Sequence, residues 1–368
     1  MKSIGIICEY NPFHNGHVYH INKIKELYPN YIIILVLNGY FLERGDISIE
    51  SKEEKTRLAL KYGVDLVIEH PFFFSSSSAD IFASSAIELL NELHVEKIVF
   101  GSESNDINTL RKIAQEQIEN DYKIKDYLKE GINYPTALNK VTNSNIDTPN
   151  DILALSYIKA ILKNKYNIEP ISIKRTNDFH DLISNEDIIS ASNIRNKLKE
   201  NIDIKKYIPE GKINSIDEEK LFNLLKYKII IDHDLSKYLT VDEGIDNRLK
   251  KVINEVTTID ELIEKTKSKR YTYNRIKRML IHILIGLTKE DKNALAKNEY
   301  IRILGLNKQG QEYLNSIKKE VNLPIVTKIT SVNSIIKDYE LKCAYIYAML
   351  TNDNIIDFEL QNKPIREN

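Results

Sequence analysis

The sequence predicts an α/β chain in which a parallel sheet, covered by helices on both faces, is followed by a mainly α-helical domain. Two observations support this prediction. In the first half, short apolar runs rich in Ile and Val alternate with helical patterns, as in parallel sheets built from βαβ units. After about Pro209 the strand signals fade, and helical patterns separated by short polar loops remain. We therefore expect one domain at residues 1–208 and a second at 209–368.

Five short apolar segments have the composition of buried parallel strands. They are Ser3–Cys8, Tyr31–Leu37, Leu66–Ile68, Lys97–Phe100 and Pro170–Lys174. Helical patterns lie between them at Gly16–Tyr28, Lys52–Tyr62, Asp80–Leu93 and Asp151–Lys163. Those of the second half are Glu218–Ile231, Asp260–Lys267, Tyr273–Leu287, Lys308–Glu320 and Ile335–Leu350. Because ligands of such sheets bind beyond the carboxyl ends of the strands, the loops that follow the strands are the candidate functional segments.

Size, charge and cysteine content narrow the class of protein. A chain of 368 residues can form two domains with a sizeable core. The net charge of −1 does not by itself require a polyanionic partner. Cys8 and Cys343 are the only cysteines, which favours a reducing compartment. The N-terminus does not resemble a signal peptide, and the longest apolar run, Met279–Leu287, is too short to cross a bilayer. We expect a cytoplasmic protein without a membrane segment.

The first predicted strand leads into His14-Asn15-Gly16-His17 at the start of a helical pattern. A helix start leaves backbone N–H groups unpaired and favours anions. Gly16 lets a phosphate approach the backbone, and the two histidines add donors and, if protonated, charge. Nucleotidyl transfer needs mainly positioning and charge stabilisation, so the motif indicates adenylyl-transfer chemistry on ATP. An ordinary surface turn remains an alternative for so short a motif. So does a metal site formed with His20, although no further ligand cluster accompanies it.

Two further loops follow predicted strands. Residues 38–51, NGYFLERGDISIES, carry Glu43, Arg44 and Asp46. They fit a solvated loop slightly better than a substrate-facing loop in which Arg44 steers an anion. The fourth strand ends at Gly101, where a flat ligand can lie against the backbone, although a simple strand-to-helix turn explains the glycine as well.

Two helix starts complete the candidate site. Asn150 opens the pattern TPNDIL as an N-cap, with ligand binding as the alternative. The fifth strand runs into Arg175, and Ser190 or Ser192 then caps a helix that carries Arg195 one turn inside it. A hydroxyl-rich helix start with an arginine can hold the β- and γ-phosphates from the side opposite H-x-G-H, although an ordinary capped helix gives the same pattern.

These segments resemble the tRNA(Met) cytidine acetate ligase family, within the superfamily marked by H-x-G-H and S/T-x-S/T-x-x-R. The resemblance lies in the strings EYNPFHNGHVYH, LNGYFLERGD, VDLVIEHPFFFSSSSADIFASSAIELLNEL, FGSES, TPNDILALSY and ISASNIRNKL, and continues through KRYTYNRIKRMLIHILIGL and IRILGLNKQGQEYL. It covers nearly the whole chain. It implies a Rossmann-like nucleotidyltransferase domain followed by a helical tRNA-binding domain.

The resemblance also implies an activity. Such enzymes join ATP and acetate to acetyladenylate and then acetylate N4 of the wobble cytidine of elongator tRNA(Met), giving N4-acetylcytidine. Mg²⁺ is expected with the ATP, and neither a protein-bound metal nor a protein partner is implied. His14 and His17 would be the catalytic groups, acting at the α-phosphate. The implied ATP site comprises Ile7, Cys8, Glu9, Tyr10, Asn11, Pro12, Phe13, His14, Asn15, Gly16, His17, Val18, Tyr19, His20, Gly101, Asn150 and Arg175, with Ser190, Ser192 and Arg195 as phosphate contacts.

Three positions depart from the pattern expected of the family. Glu43 stands where a glutamine is expected, His70 where a leucine is usual, and Cys8 where an aliphatic residue is expected. We interpret Cys8 as a small buried hydrophobe and not a nucleophile, since ATP supplies the activation. Glu43 and His70 bear on the shape of the part of the site that would hold acetate or RNA.

Charge is segregated along the chain in a way that supports RNA binding. Residues 265–320 carry 14 Lys and Arg against 5 Asp and Glu, although the whole chain is close to neutral. Tyr271 and Tyr273 lie among these cations, and aromatic rings between cations suit stacking on unpaired bases. A solvated helix face is the alternative. The candidate tRNA contacts are Lys269, Arg270, Arg275, Lys277 and Arg278.

Two other functions remain open from the residues. One is an adenylyltransferase acting on a small phosphate-bearing cofactor precursor, which would need no basic helical domain. The other is an RNA-binding protein whose nucleotide fold is vestigial, against which the intact His14, Gly16, His17 and Arg195 argue.

Overall fold

The structure, a computed structural model, describes residues 1–132, 134–142, 146, 148–175, 186–361 and 363–367. Its strands are β1 (Lys2–Cys8), β2 (Tyr31–Asn38), β3 (Leu66–His70), β4 (Lys97–Ser102), β5 (Glu169–Lys174), β6 (Ile301–Leu306), β7 (Ile325–Val326) and β8 (Ile365–Arg366). The five strands expected in the first half are confirmed with ends that differ by at most two residues.

Helices surround the sheet and make up most of the second half. Those of the first half are α1 (Asn15–Leu27), α2 (Lys52–Lys61), α3 (Phe72–Ser75), α4 (Ala79–Glu92), α5 (Ile107–Glu119), α6 (Asp121–Lys129), α7 (Tyr134–Thr142), α8 (Pro149–Asn164) and α9 (Ala191–Lys199). Those of the second half are α10 (Glu218–Ile231), α11 (Ile245–Val252), α12 (Ile259–Thr266), α13 (Tyr273–Ile285), α14 (Lys289–Ala294), α15 (Lys308–Ile317), α16 (Ile335–Thr351) and α17 (Ile356–Gln361). Short 3₁₀ turns lie at Ile253–Glu255 and Ile329–Ser331.

The sheet has the strand order β5-β4-β1-β2-β3-β6-β7, and β8 pairs with β6. Strands β1 to β5 are parallel to one another. The chain runs outward from β1 to β3 and then crosses to β4, on the other side of β1. The crevice between β1 and β4 is therefore the switch point at which open α/β sheets bind their ligands.

Apolar side chains on the two sheet faces form separate cores, as expected for a sheet buried on both sides. On one face Ile34, Val36 and Ile98 pack with residues of α4, α8 and α15. On the other face Ile33 and Leu35 pack with residues of α1 and α2. A third core joins α10 to α13 with α3 and α16. The fold class expected from the sequence is confirmed, because this third core builds the helical region.

One expectation about the second half is wrong. Strand signals do not end near Pro209, since Ile301–Leu306 forms β6 and pairs antiparallel with β3, so the sheet is mixed. The segment IRILGL is short and carries a charged residue, Arg302, so its pattern does not predict a strand, yet Arg302 is fully buried. The boundary between residues 208 and 209 stays a prediction.

Five buried charged side chains join the sheet to the helical region, and we call them the buried ionic cluster. They are Lys52, Glu69, Arg302, Glu340 and Glu359. Lys52 Nζ contacts carboxylates of all three glutamates, and Arg302 Nη1 lies 3.0 Å from Glu69 Oε1 and 2.6 Å from Glu359 Oε2. These residues come from α2, β3, β6, α16 and α17. The cluster therefore fixes five elements against one another.

No helix among the described residues combines the length and apolar character needed to cross a membrane.

Candidate active site

A cavity of about 310 Å³ opens at the carboxyl ends of β1 and β4. The starts of α1 and α9 also border it, through Gly16 and Ser190 among others. Two helix N-termini, each with partial positive charge, therefore meet at the switch point of the sheet.

Most residues of the implied ATP site line this cavity. From the stretch Ile7–His20 they are Ile7, Cys8, Glu9, Tyr10, Asn11, His14, Gly16, His17, Tyr19 and His20. Gly101, Asn150, Arg175, Ser190, Ser192 and Arg195 join them from four other segments. Pro12, Phe13, Asn15 and Val18 are not part of the lining. Phe13 is fully buried, and the Asn15 amide donates to the carbonyls of Asp187 and Lys206, at 2.9 Å each.

The histidines cap helix α1 through their own side chains. His14 Nδ1 accepts from the Gly16 N–H at 3.0 Å, and His17 Nδ1 accepts from the His14 N–H at 3.2 Å. An imidazole nitrogen that accepts a hydrogen bond carries no proton, so each neutral ring is protonated at Nε2. Each ring can therefore offer one Nε2–H donor to a ligand. Because both Nδ1 atoms are engaged, the metal site considered from the spacing has no support here, and the described residues hold no group of three or more metal-type ligands.

The sequence leaves a charged form of these imidazoles open, and the surroundings of both rings favour the neutral form. Burial, followed by the charges of Arg175 and Arg195, lowers the pKa of His14 to about 3. Burial also holds the pKa of His17 well below its usual range, with His14, His20 and Arg175 adding to the effect. His14 would be protonated only below about pH 3, which is far outside any working range. It therefore acts as a neutral donor. The cations whose charge acts on His14 are these two arginines.

Two arginines reach the cavity, one directly after β5 and the other from α9. Arg195 Nη1 donates to the Asn11 carbonyl at 2.7 Å and Nη2 to Ser192 Oγ at 3.3 Å. Arg175 Nε is buried without a hydrogen-bond partner and lies 3.8 Å from Glu103 Oε1. A Cβ on Gly101 would lie 3.3 Å from Arg175 Cγ. Gly101 therefore leaves room for the Arg175 side chain, and Arg175 keeps a donor free for an anion.

Helix caps differ in part from expectation. Ser190 is the N-cap of α9 and accepts from the Asn193 N–H at 3.1 Å, whereas Ser192 lies inside the first turn. Thr148, not Asn150, is the N-cap of α8, because Pro149 occupies the first helical position. The Asn150 amide is free of the cap and donates to Glu103 Oε1 at the rim of the cavity.

Tyr10 gives the loop after β1 its shape. Its φ of +49° lies in the left-handed region, which is uncommon for a bulky residue. The loop is held by the chain after β2, since Asn11 Oδ1 accepts from the Ile49 N–H at 2.9 Å and Glu50 Oε2 from the Phe13 N–H at 2.7 Å. Lys55 adds three hydrogen bonds, to the carbonyls of Glu9, Asn38 and Gly39, at 2.7–3.0 Å.

Loop 38–51 is not the solvated loop that its residues favoured. Leu42, Glu43, Arg44 and Asp46 all line the cavity. An antiparallel bridge between Phe41 and Ile47 closes the loop. Its placement could be anticipated only from the rule that strand ends gather ligands, because side-chain polarity alone cannot separate a loop that covers a ligand from one that faces solvent.

Helix α13 covers this loop through two of the basic residues predicted to contact tRNA. Arg278 donates to the Glu43 carbonyl (2.7 Å) and to Glu43 Oε1 (2.8 Å), and Lys277 Nζ is paired with Asp46 at 2.5 Å. A Cβ on Gly45, whose φ is +80°, would lie 2.5 Å from the backbone nitrogen of Arg278. Lys277 and Arg278 thus hold the cavity loop and are not free cations on the surface.

The other basic candidates lie nearer the surface. Lys269 and Arg270 are exposed, and Arg270 is paired with Glu243. The Arg275 guanidinium lies 4.1 Å from the centre of the Tyr271 ring. Tyr271 is only 3% exposed, so it cannot stack on an unpaired base as its sequence context suggested. Hydrogen bonds between the Tyr271 hydroxyl and the backbone of Asp242 hold the ring in this buried position.

Comparison with known proteins identifies the family of this chain. The family model described as HIGH nucleotidyl transferase matches residues 1–362. The tRNA(Met) cytidine acetate ligase of Geobacillus sp. (strain WCH70) is 36% identical over 400 aligned residues, covering 99% of this chain and 100% of the relative. The protein of the same name from Bacillus subtilis (strain 168) is 35% identical over 405 residues, covering 100% and 97%.

Solved structures agree. The apo form I crystal structure of Thermotoga maritima TmcAL is similar with a TM-score of 0.90 and 28% identity, covering 100% of both chains. The form II structure of Thermotoga maritima TmcAL bound with α-thio ATP has a TM-score of 0.87 and 28% identity, covering 100% of this chain and 99% of the other. From end to end, the chain belongs to the HIGH nucleotidyl transferases and, among them, to the tRNA(Met) cytidine acetate ligase family.

Proposed function

We propose that this protein is an ATP-dependent ligase that activates acetate as acetyladenylate and transfers the acetyl group to N4 of the wobble cytidine of elongator tRNA(Met). The observation that supports this most directly is the cavity between the starts of α1 and α9, with neutral His14 and His17 on one side and Arg175 and Arg195 on the other. Relatives named for this activity match the chain end to end, and a neighbour of the same fold binds an ATP analogue.

The first step would take place at the histidine and arginine side of the cavity. An acetate oxygen attacks the α-phosphorus of ATP, the bond to the β-phosphate oxygen breaks, and pyrophosphate leaves with that electron pair. Charge develops on the non-bridging oxygens of the α-phosphate, where the Nε2–H donors of His14 and His17 would be of most use. Arg175 and Arg195 would hold the leaving phosphates, assisted by the positive end of the α9 dipole.

Mg²⁺ remains an expectation. The described residues contain no group of three or more His, Cys, Asp or Glu placed to hold a metal ion. Magnesium bound with nucleotides takes many of its ligands from phosphate oxygens and water. The residues present therefore fit an ion that enters with the triphosphate better than one held by a protein cage.

The second step would bring the tRNA to the same cavity. The N4 amine attacks the acetyl carbonyl carbon, and AMP leaves as the bond from that carbon to the phosphate oxygen breaks. An anticodon base is unpaired, so its amine can be reached without opening a duplex. Exposed Lys269 and Arg270 are the best placed of the basic candidates to contact the tRNA backbone, since Lys277 and Arg278 are committed to the cavity loop.

The function is tested by incubating the protein with ATP, labelled acetate and tRNA(Met), followed by nucleoside analysis. We expect label in N4-acetylcytidine that depends on ATP and on the protein, together with AMP and pyrophosphate. A tRNA(Met) transcript whose wobble cytidine is replaced by uridine is the matched control and should stay unlabelled. Unlabelled RNA alongside efficient AMP transfer to a small phosphate-bearing substrate would contradict the proposal and favour a cofactor adenylyltransferase.

Two basic residues of the helical region should behave differently when changed to glutamine. Lys269→Gln should lower tRNA affinity and reduce the slope of log Kd against log salt by about 0.7–0.9, the value for one phosphate contact, while acetate-dependent ATP–pyrophosphate exchange is unchanged. Arg278→Gln should lower that exchange by up to about 100-fold, since it frees the loop carrying Glu43. An Arg278→Gln protein with normal exchange and weakened tRNA binding would show that Arg278 acts on RNA instead.

A further inference from the structure

The two carboxylate oxygens of Glu9 have different surroundings. Oε1 accepts from the Asn38 side-chain amide at 3.0 Å and from the Glu43 backbone N–H at 2.7 Å. Oε2 has no hydrogen-bond partner among the described residues, and it is not sealed from solvent as the buried unpartnered polar atoms are. Since Glu9 lines the cavity, one oxygen anchors the carboxyl group and the other stays available to a ligand.

A buried chain of hydrogen bonds fixes the orientation of the Glu9 carboxyl group. His70 Nδ1 lies 3.0 Å from Asn38 Oδ1, and His70 Nε2 lies 2.7 Å from Ser85 Oγ. An amide oxygen can only accept, so Nδ1 carries the proton and the Ser85 hydroxyl donates to Nε2. The Asn38 oxygen thus faces His70, and its NH₂ group faces Glu9. His70 and Asn38 are both fully buried, which makes them rigid positioning residues for Glu9.

Among the described residues that line the cavity, Glu9 is the carboxylate without an ion-pair partner, although the charge of Arg44 lowers its pKa. Glu43 is paired with Arg278, and Asp46 with Lys277. Burial, opposed by the Glu43 N–H and assisted by the charges of Glu43 and Asp46, raises the pKa of Glu9 to about 7. The titratable and charged groups that face Glu9 or its backbone are Cys8, Tyr10, Glu43, Arg44, Asp46, Lys55 and Tyr157.

The second half-reaction of the function proposed above requires a base. A cytidine N4 amine is a weak nucleophile, because its lone pair is shared with the ring, and it must lose a proton as the amide forms. His14 and His17 cannot take that proton, because their Nδ1 atoms already accept backbone N–H groups and their Nε2 atoms carry protons. Burial and Arg175 lower the pKa of His20 to about 4, so that ring is too weak a base.

We infer that Glu9 is the general base of acetyl transfer, with Oε2 accepting the proton that the N4 amine releases. The amine nitrogen bonds to the acetyl carbon of acetyladenylate, the bond from that carbon to the AMP phosphate oxygen breaks, and AMP leaves with the electron pair. One N–H proton passes to Glu9 and then to solvent as products depart. The inference rests on the proposed function, and it predicts that Glu9 serves the second step and not the first.

Glu9→Gln tests this role, because a glutamine oxygen can keep both hydrogen bonds at the Oε1 position. Synthetic acetyladenylate and tRNA(Met) are mixed with excess protein, and the first-turnover rate of N4-acetylcytidine formation is measured from pH 5.5 to 8.5. We expect the unchanged protein to gain rate with pH through about 7, as Glu9 loses its proton, and then to level off. Glu9→Gln should slow transfer by about 100-fold or more with a flat profile, and by at least about tenfold more than it slows ATP–pyrophosphate exchange.

Glu43→Gln is the matched control, a second carboxylate of the same cavity. Its rate is expected to be lower, since Arg278 loses a partner, but the rise through pH 7 should persist. Unchanged transfer by Glu9→Gln, loss of exchange along with transfer, or a flat profile in Glu43→Gln instead would each overturn the inference while leaving the proposed function intact. Absence of N4-acetylcytidine with the unchanged protein would overturn the proposed function itself.

Discussion

Changing His14 to asparagine is expected to lower acetate-dependent ATP–pyrophosphate exchange by about 10²–10³-fold, the usual loss when one donor to a developing charge is removed. Asparagine is a good N-cap, so the start of α1 should survive. What is lost is the Nε2–H group, because His14 Nδ1 already serves the helix by accepting from the Gly16 N–H. Affinity for tRNA(Met) should stay within about twofold.

His94→Asn is the control for this change. His94 has a side chain 45% exposed, lies outside the cavity lining, and has a φ of +53° that asparagine tolerates. We expect normal exchange from that variant. If His14→Asn also kept its full exchange rate, the role of His14 would be confined to capping α1. Because His14 stays neutral at every working pH, the exchange rate should show no step near pH 6.5 that His14→Asn removes.

Changing Arg302 to methionine should cost about 3–5 kcal/mol of folding free energy, the range for breaking a buried ion pair from one side. The variant leaves Glu69, Glu340 and Glu359 around Lys52 as the one remaining cation of the buried ionic cluster. Urea unfolding followed by circular dichroism measures the loss. Arg366→Met is the control, since Arg366 is exposed and contacts Gln311 at 3.4 Å; it should change stability by about 0.5 kcal/mol or less.

The pH dependence of that loss is a second measurement. Burial alone would raise the pKa of Glu359, but Arg302 and Lys52 hold it at about 2. In the unchanged protein this carboxylate therefore contributes stability above its unfolded pKa of about 4.3, and the contribution disappears as pH falls through 2. Without Arg302 the folded pKa should rise above the unfolded value, so the destabilisation should shrink between pH 7 and 5. A loss that is constant over this range, or one no larger than that of Arg366→Met, would contradict an electrostatic role for Arg302.

Local patterns in the sequence predict the first half of the fold. Short Ile- and Val-rich strands between amphipathic helices have few alternatives to a parallel sheet, since each must bury its apolar face against the other. The loop motifs inherit their position from that sheet, because parallel strands end at one edge. This is why H-x-G-H, Gly101, Arg175 and Arg195 could be assigned to one site although they are as many as 181 residues apart.

Long-range contacts decided what the motifs do. The neutral state of His14 follows from burial and from the hydrogen bond that the Gly16 N–H donates to its Nδ1. The spacing of the motif predicts neither. Lys277 and Arg278 look like RNA contacts in a basic segment, yet they pair with carboxylates more than 230 residues away in the chain. Likewise Ile301–Leu306 becomes a strand because β3 offers it an open edge, and Arg302 is tolerated there because Glu69 and Glu359 meet it.

By itself, then, the sequence determined the fold class, the family and the set of segments that gather at the cavity, since these depend on periodicity, strand order and motif. The tertiary structure alone decided protonation and pairing: which imidazole nitrogen is a donor, which cations are committed, and which oxygen of Glu9 is free. Those properties depend on distances of a few ångströms between groups remote in the chain and on the water that packing excludes, neither of which a linear pattern records.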